Sequence, residues 1–269
     1  MEDRIRVVTL TPEDYPGYGC PCYLNPMYEG GPRKKDWLFA RHSEGLTLKH
    51  LFIGDEEKPA GFIEYVPGEF AWRAVSAPGY LFIQCIWVYP KKNRQKGLGS
   101  ILLEECLNDA KAQGKVGVAS ITGEGPFIAR KDLFVKNGFS VIESSGGYEL
   151  VAKRLKDGPL PKFLDWKSQL SHYKGLHLIY SDQCQWVARS VPELKDIAKL
   201  HGIEMTVTEL KTPEETQAAP SVHATLTLVF DGVLLADHYI PRPRFFSILK
   251  KIHKIGSEDS DQPFEPAEE

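Results

Sequence analysis

Apolar positions in the first half of the chain fall into short runs with the spacing of strands. Arg4 to Leu10 alternates apolar and polar residues. Apolar runs follow at Leu46 to Ile53, Ala60 to Val66 and Tyr80 to Val88, set apart by the turn-rich segments GDEEKP and VPGEFAWRAVSAPG. They read as consecutive strands. From Ser100 to Gln113 the period changes: Leu102, Leu103, Cys106, Leu107 and Ala110 share one face at helical spacing, and Gly114 stands where a C-cap belongs. Val116 to Ile121 then reads as a strand and Ile128 to Asn137 as a short helix capped by Gly138. Phe139 to Ile142 and Tyr148 to Ala152 read as closing strands. One stretch fits neither period. TPEDYPGYGCPCYLNPMYEGGPRKKDW is so rich in Pro, Gly and Tyr that a long irregular loop is expected, and long loops in compact domains tend to carry function.

Beyond KRLKDGPLPKF, whose Gly and two Pro residues read as a linker, a second alternation begins. Leu176 to Tyr180 reads as a strand, Val187 to His201 as a helix and Met205 to Leu210 as a strand. Thr225 to Phe230 and Val233 to Asp237 form a hairpin around Asp231-Gly232, and Arg244 to His253 reads as a helix. The expected organisation is a large α/β (α+β) domain over 1–155, a linker over 156–165, a smaller α/β domain over 166–255 and a disordered acidic tail over 256–269.

Composition narrows the function classes. The chain is 42% apolar and 26% charged, ordinary for a globular protein of 269 residues. The net charge of -3 includes six acids from Gly256 onward, and removing them changes it to +3. That is no basic stripe, so nucleic acid is not an expected partner. No apolar run approaches a membrane span, and MEDRIRVV is charged where a signal peptide turns apolar, so a cytoplasmic protein with no membrane partner is expected. The five cysteines, Cys20, Cys22, Cys85, Cys106 and Cys184, are expected as free thiols. Cys20-Pro-Cys22 supplies two zinc ligands with no Cys or His at the spacing that completes a set, and no metal is expected.

The segment VYPKKNRQKGLGSILLEECLNDAKAQG passes from an apolar strand through a basic, Gly-rich turn into the firmest helix. A helix N-terminus offers unpaired N–H groups and a partial positive charge, which suits phosphate. The P-loop spacing fails because Lys96 precedes Gly97, and the dinucleotide fingerprint fails because Leu102 occupies the third Gly position. What remains, Arg94-Gln95-Lys96-Gly97-Leu98-Gly99, resembles the pyrophosphate loop of the GCN5-related N-acetyltransferases (GNAT), with FIQCIWV before it and LFVKNGF, similar to that family's FYEKLGF, after it. The resemblance implies a mixed, splayed β-sheet flanked by helices, and acetyl-CoA as co-substrate. It assigns acetyl-CoA binding to Ile86, Trp87, Val88, Arg94, Gln95, Lys96, Gly97, Leu98, Gly99, Ser100, Phe134 and Lys136.

In that family a neutral amine attacks the thioester, main-chain N–H groups of the fourth strand hold the oxyanion, and a Tyr in the later helix protonates the leaving thiolate. Here the Tyr position is Phe134, so Tyr65, Tyr80 and Cys85 are substitute acids. Glu64 is the first candidate base and Glu69 the second, each against the simpler expectation of a solvated carboxylate. Arg33 to Asp36 is either a solvated basic turn or an anchor for an acidic group. Cys85 and Cys106 are also most simply small core residues.

The second domain resembles a thioredoxin-like fold with Cys184 before its first helix, where a thiol can be activated. The second Cys of a C-x-x-C is Val187 and the usual Pro before the third strand is Ala224, which excludes an internal disulfide pair; His223 reads as a turn residue. The combination looks like the YoaP-type acetyltransferases. The implied function is direct transfer of an acetyl group to a small-molecule or peptide amine, with a second copy of the chain as a candidate partner. The alternatives are an acyl-CoA-binding sensor without turnover and a thiol-redox protein using Cys184.

Overall fold

The computed structural model describes residues 4–15 and 30–253; Cys20, Cys22 and the acidic tail lie outside them. Strands β1 (Ile5–Leu10), β2 (Thr47–Ile53), β3 (Gly61–Pro67), β5 (Tyr80–Val88), β6 (Gly117–Gly123), β7 (Ser140–Ser145) and β8 (Tyr148–Arg154) form one seven-stranded sheet, while β4 (Val75–Ser76) stands outside it. The order is β1-β2-β3-β5-β6-β8-β7. Only the central pair β5–β6 is parallel, and the helix α2 (Leu98–Ala112) makes the crossover such a pair requires. Its apolar stripe, Leu102, Leu103, Cys106, Leu107 and Ala110, is buried on one face of the sheet, where Tyr65, Ile83 and Phe134 also pack. The opposite face is covered by helix α1 (Gly30–His42) through Trp37 and Leu38 and by Trp72, whose ring meets Trp37 edge-on at 5.0 Å.

Helix α1 corrects the loop reading of its segment. Gly30-Gly31-Pro32 looks like loop chemistry, yet Pro is compatible with a first helical turn. Tertiary packing of Trp37 and Leu38 then supplies stability that propensity does not. Arg33 to Asp36 is accordingly part of a helix, and Lys34 is 2% exposed rather than solvated.

A short helix α3 (Lys131–Lys136) precedes β7. Within 156–165, strand β9 (Lys162–Phe163) pairs with β4, and Phe163 is buried. After helix α4 (Trp166–Gln169), strands β10 (Leu176–Tyr180), β11 (Met205–Glu209), β12 (Leu226–Phe230) and β13 (Val233–Ala236) form a second sheet in the order β11-β10-β12-β13. β10 is parallel to β11 and antiparallel to β12. Helices α5 (Gln185–Leu200), α6 (Pro213–Gln217) and α7 (Arg242–His253) complete this half. The β12–β13 turn places Asp231 and Gly232 at φ 47° and 78°, the geometry that Asp-Gly predicts. Helix α6, unmarked by periodicity, is announced by its capping box: Glu215 N–H donates to Thr212 Oγ1 and the Glu215 carboxylate accepts from Thr212 N–H.

The two sheets meet along a polar and aromatic seam. Arg33 donates to Asp182 and Tyr180, Arg41 to the Lys211 carbonyl, Gln217 to the carbonyls of Glu69 and Ala71, and Ala74 N–H to the Val222 carbonyl.

Burial also sets an acid limit. His50 on β2 is fully enclosed beside Phe52, and burial pushes its imidazole down from 6.5 to about 4. His223 is driven in the same direction by burial, then by Arg73 and His238. Both are neutral in the folded chain, whereas the unfolded chain takes up their protons below about pH 6.5. Stability should therefore fall as pH drops from 6.5 towards 4. His50→Leu should flatten the change in urea midpoint between pH 7.5 and 4.5, and an unaltered pH dependence would refute the assignment.

Candidate acetyl-transfer site

The β5 strand is regular up to Ile83, which pairs with Tyr65 on β3 and Ser120 on β6. Glu64 then faces Cys85, so Gln84 is one residue too many, a β-bulge. Pairing with β6 stops at Ile83↔Ser120, and the two parallel strands part. Tyr89 N–H donates to the Ala60 carbonyl. By ladder alternation Trp87 pairs towards β3, while Ile86 and Val88 direct their N–H groups to the side β6 has left. A slot of about 20 Å³ opens there between Ile86 and Ala129.

At the end of β5 the chain turns through Lys91, Lys92 and Asn93 into α2. Asn93 is buried and donates to the Tyr89 carbonyl, which fixes the turn. Gln95 and Gly97 take left-handed φ of 66° and 78°. Among the described residues, the N–H groups of Gln95, Lys96, Gly97, Leu98 and Gly99 have no hydrogen-bond partner; Ser100 N–H is the first engaged, with the Gly97 carbonyl. Unpaired amides at a helix start, with Arg94 and Lys96 exposed beside them, are the arrangement that suits an anion, a candidate cradle. A Cβ on Gly99 would lie 2.9 Å from Leu133, so that glycine lets α3 close against α2. Lys58, Lys92 and Lys96 border an adjoining cleft of about 360 Å³.

On the other side of β5 lies a cavity of about 160 Å³ between the two sheets, where Glu64, Cys85 and Trp87 meet Lys34, Cys184 and Trp186. Glu64 is fully buried and accepts from Lys34 Nζ at 2.6 Å, while its Oε1 has no partner. It is therefore no solvated strand-face carboxylate. Arg94 extends over the Trp87 ring at 4.9 Å and links the anion cradle to the cavity wall.

Other expected site residues are placed elsewhere. Glu69 accepts from Gly79 N–H in an exposed turn, and Tyr65 donates to Asp109 beneath α2. Tyr80, at the far end of β5 against Gly117, does not line the cavity. Burial raises the phenols of Tyr65 and Tyr80. Phe134 is fully enclosed, edge-on to Phe139 at 5.3 Å, and reaches neither slot nor cavity. Ser100 Oγ accepts from Asn137, and Lys136 is exposed on α3. Burial pushes the Cys184 thiol up, outweighing the N–H groups of Val187 and Trp186, the direction opposite to that of an activated thiolate. Sequence reasoning missed Arg73, Gln84 and Trp186, and it took Lys34 only as part of a basic turn that could anchor an acidic group. Arg73 alone carried a signal, one cation inside the apolar run FAWRAV.

The segment described as the acetyltransferase (GNAT) family matches residues 12–139. The uncharacterized N-acetyltransferase YoaP of Bacillus subtilis strain 168 is 30% identical over 225 residues, covering 81% of this chain and 87% of the relative. Among solved structures, the PaiA N-acetyltransferase of Thermoplasma acidophilum in complex with coenzyme A is 18% identical, covering 56% of this chain and 99% of its own, with a TM-score of 0.40. YncA of Salmonella typhimurium, a putative acetyltransferase with acetyl-CoA, is 16% identical over 59% and 98%, with a TM-score of 0.41. Because the similarity to YoaP runs through both sheets and the family match spans the parted strands and the cradle, this chain belongs to the GNAT acetyltransferase family.

Proposed function

We propose that the chain transfers the acetyl group of acetyl-CoA to the amine of a small molecule or peptide, by direct attack with both substrates bound. The observation that carries this reading is the run of unpaired amides from Gln95 to Gly99 beside strands that part after Ile83. The pyrophosphate sits on those amides with Arg94 and Lys96, and the pantetheine arm lies in the slot along β5. The acceptor occupies the cavity. The amine nitrogen bonds to the thioester carbon, the C–S bond breaks, and the N–H of Ile86 or Val88 holds the developing oxyanion, worth a few kcal/mol. Glu64 Oε1 takes the ammonium proton directly or through water. Of the expected acids, Cys85 stands at the cavity; a thiolate with a pKa near 8 to 9 also leaves unaided at moderate cost. The second sheet, with Cys184 before α5 at the cavity wall, supports a thioredoxin-like half that shapes the acceptor side rather than exchanging disulfides.

Acetyl-CoA should raise the melting temperature, and an amine panel should release CoA. A shift without release favours the sensor reading, which the enclosed Phe134 supports, and no shift at millimolar acetyl-CoA rejects both. Gly97→Ala meets open space, so its cost is the left-handed backbone, about 1 kcal/mol. Calorimetry should show acetyl-CoA affinity down about 5-fold, and unchanged affinity would argue against the cradle.

A further inference from the structure

Arg73 lies on the connection between β3 and β4, 3% exposed, with its guanidinium at the cavity. Its Nη1 donates to the Trp72 carbonyl at 2.6 Å and to Gln183 Oε1, and its Nη2 to the Gln84 carbonyl at 3.0 Å. Every acceptor is neutral. Its Nε has no partner, and no described carboxylate forms an ion pair with it. Beside it Gln84, 5% exposed, leaves both Oε1 and Nε2 without partners. Buried charges are normally paired, because removing one from water costs several kcal/mol even after relaxation. Burial pulls this guanidinium down to about 10, so it remains a cation at neutral pH.

The other charges facing the cavity do not answer it. Glu64 is engaged by Lys34, and these two cancel. His223, stacked on Tyr148 and bonded to Thr225, is held neutral by burial. The cavity thus carries one uncompensated positive charge, next to an amide side chain with free donor and acceptor atoms. Its rim is aromatic: Phe127 stacks on Trp186 at 5.4 Å and meets Tyr239 edge-on at 5.7 Å. A space of about 160 Å³ is of the order that holds one benzene-sized group.

We propose that the acceptor amine is an amino carboxylate, whose carboxylate Arg73 and Gln84 bind at the bulge while its apolar side chain meets the aromatic rim. The proposal rests on the acetyl-transfer reading and narrows its substrate. A neutral amine of the same shape would leave the guanidinium buried and unpaired, so discrimination against it is large. Arg73 acts as a specificity-determining residue, and Gln84 orients the same group.

The test compares the twenty amino acids with their carboxamides on the full chain at saturating acetyl-CoA, reading CoA release and melting temperature. At least one free amino acid should exceed its amide by about 100-fold in kcat/KM, the size expected when a charge-assisted pair is lost. Arg73→Met should cut that ratio to below about 10-fold, with Arg73→Lys between, while the thermal shift given by CoA alone persists. Amides that match or exceed the acids, no amino acid that outperforms its amide in either readout, or a ratio unchanged in Arg73→Met would each overturn the proposal. Loss of the acetyl-CoA shift in the wild-type chain would instead sink the underlying acetyl-transfer reading. The wild-type comparison decides even if the Arg73 variants do not fold.

Discussion

Glu64→Gln should lower kcat by about 100-fold or more while acetyl-CoA affinity stays within a factor of two, since general base catalysis supplies about 10²- to 10⁴-fold. The substituted amide still accepts from Lys34 but cannot take a proton from an ammonium. It also strands a cation whose side chain is 3% exposed, and breaking such a buried pair costs about 3–5 kcal/mol. Activity and stability would therefore fall together, and a single variant cannot separate them. The double variant Lys34→Met with Glu64→Gln can. Replacing both charges with neutral groups of similar volume should restore most of the melting temperature, because the desolvation of both ions is removed with their attraction. Turnover should not return. If it does, Glu64 is a structural partner of Lys34, and the proton leaves by another route.

The parts of this site made from contiguous chain were legible in advance. Strand Tyr80 to Val88 and the strand Leu176 to Tyr180 are found with the residues expected, because each is an uninterrupted apolar run between turn residues. The cradle at Gln95 to Gly99 was equally readable, since its chemistry lies in main-chain amides that a Gly-rich turn leaves free. The acceptor side was not. Lys34, Glu64, Arg73, Gln84 and Cys184 come from five separate segments, and nothing in their spacing brings them together. The bulge that turns Gln84 inward is a single extra residue in an otherwise continuous strand, invisible to periodicity. Helix α1 was lost for a related reason: its first residues are loop formers, and its stability comes from what Trp37 and Leu38 touch. Phe134 shows the opposite failure, a position singled out by a motif resemblance whose side chain turns into the core with Phe139 instead of towards the slot.

Gly30→Ala should damage the acceptor side alone. A Cβ at Gly30 would lie 2.3 Å from the Gln185 carbonyl oxygen and 3.1 Å from its carbon, closer than real Cβ atoms come to backbone. That carbonyl belongs to the first turn of α5 and cannot rotate aside, so α1 and α5 must separate. Lys34 lies one turn along α1 from Gly30, and Cys184 directly precedes Gln185, so the shift displaces both walls of the cavity. Overpacking of this kind costs about 1–3 kcal/mol, or roughly 2–10 °C in melting temperature for a chain of this size. The cradle is built entirely between β5 and α2, so acetyl-CoA should still raise the melting temperature of the variant by the wild-type increment. Turnover of any acceptor should fall about 10-fold or more, in keeping with the sensitivity of transfer to misplacement of about 1 Å. A variant with normal turnover would show that the seam tolerates separation, and that the second sheet does not shape the acceptor cavity. A variant that loses the acetyl-CoA shift as well would show that the two halves of the site are coupled, contrary to their separate construction from β5–α2 on one side and α1–α5 on the other.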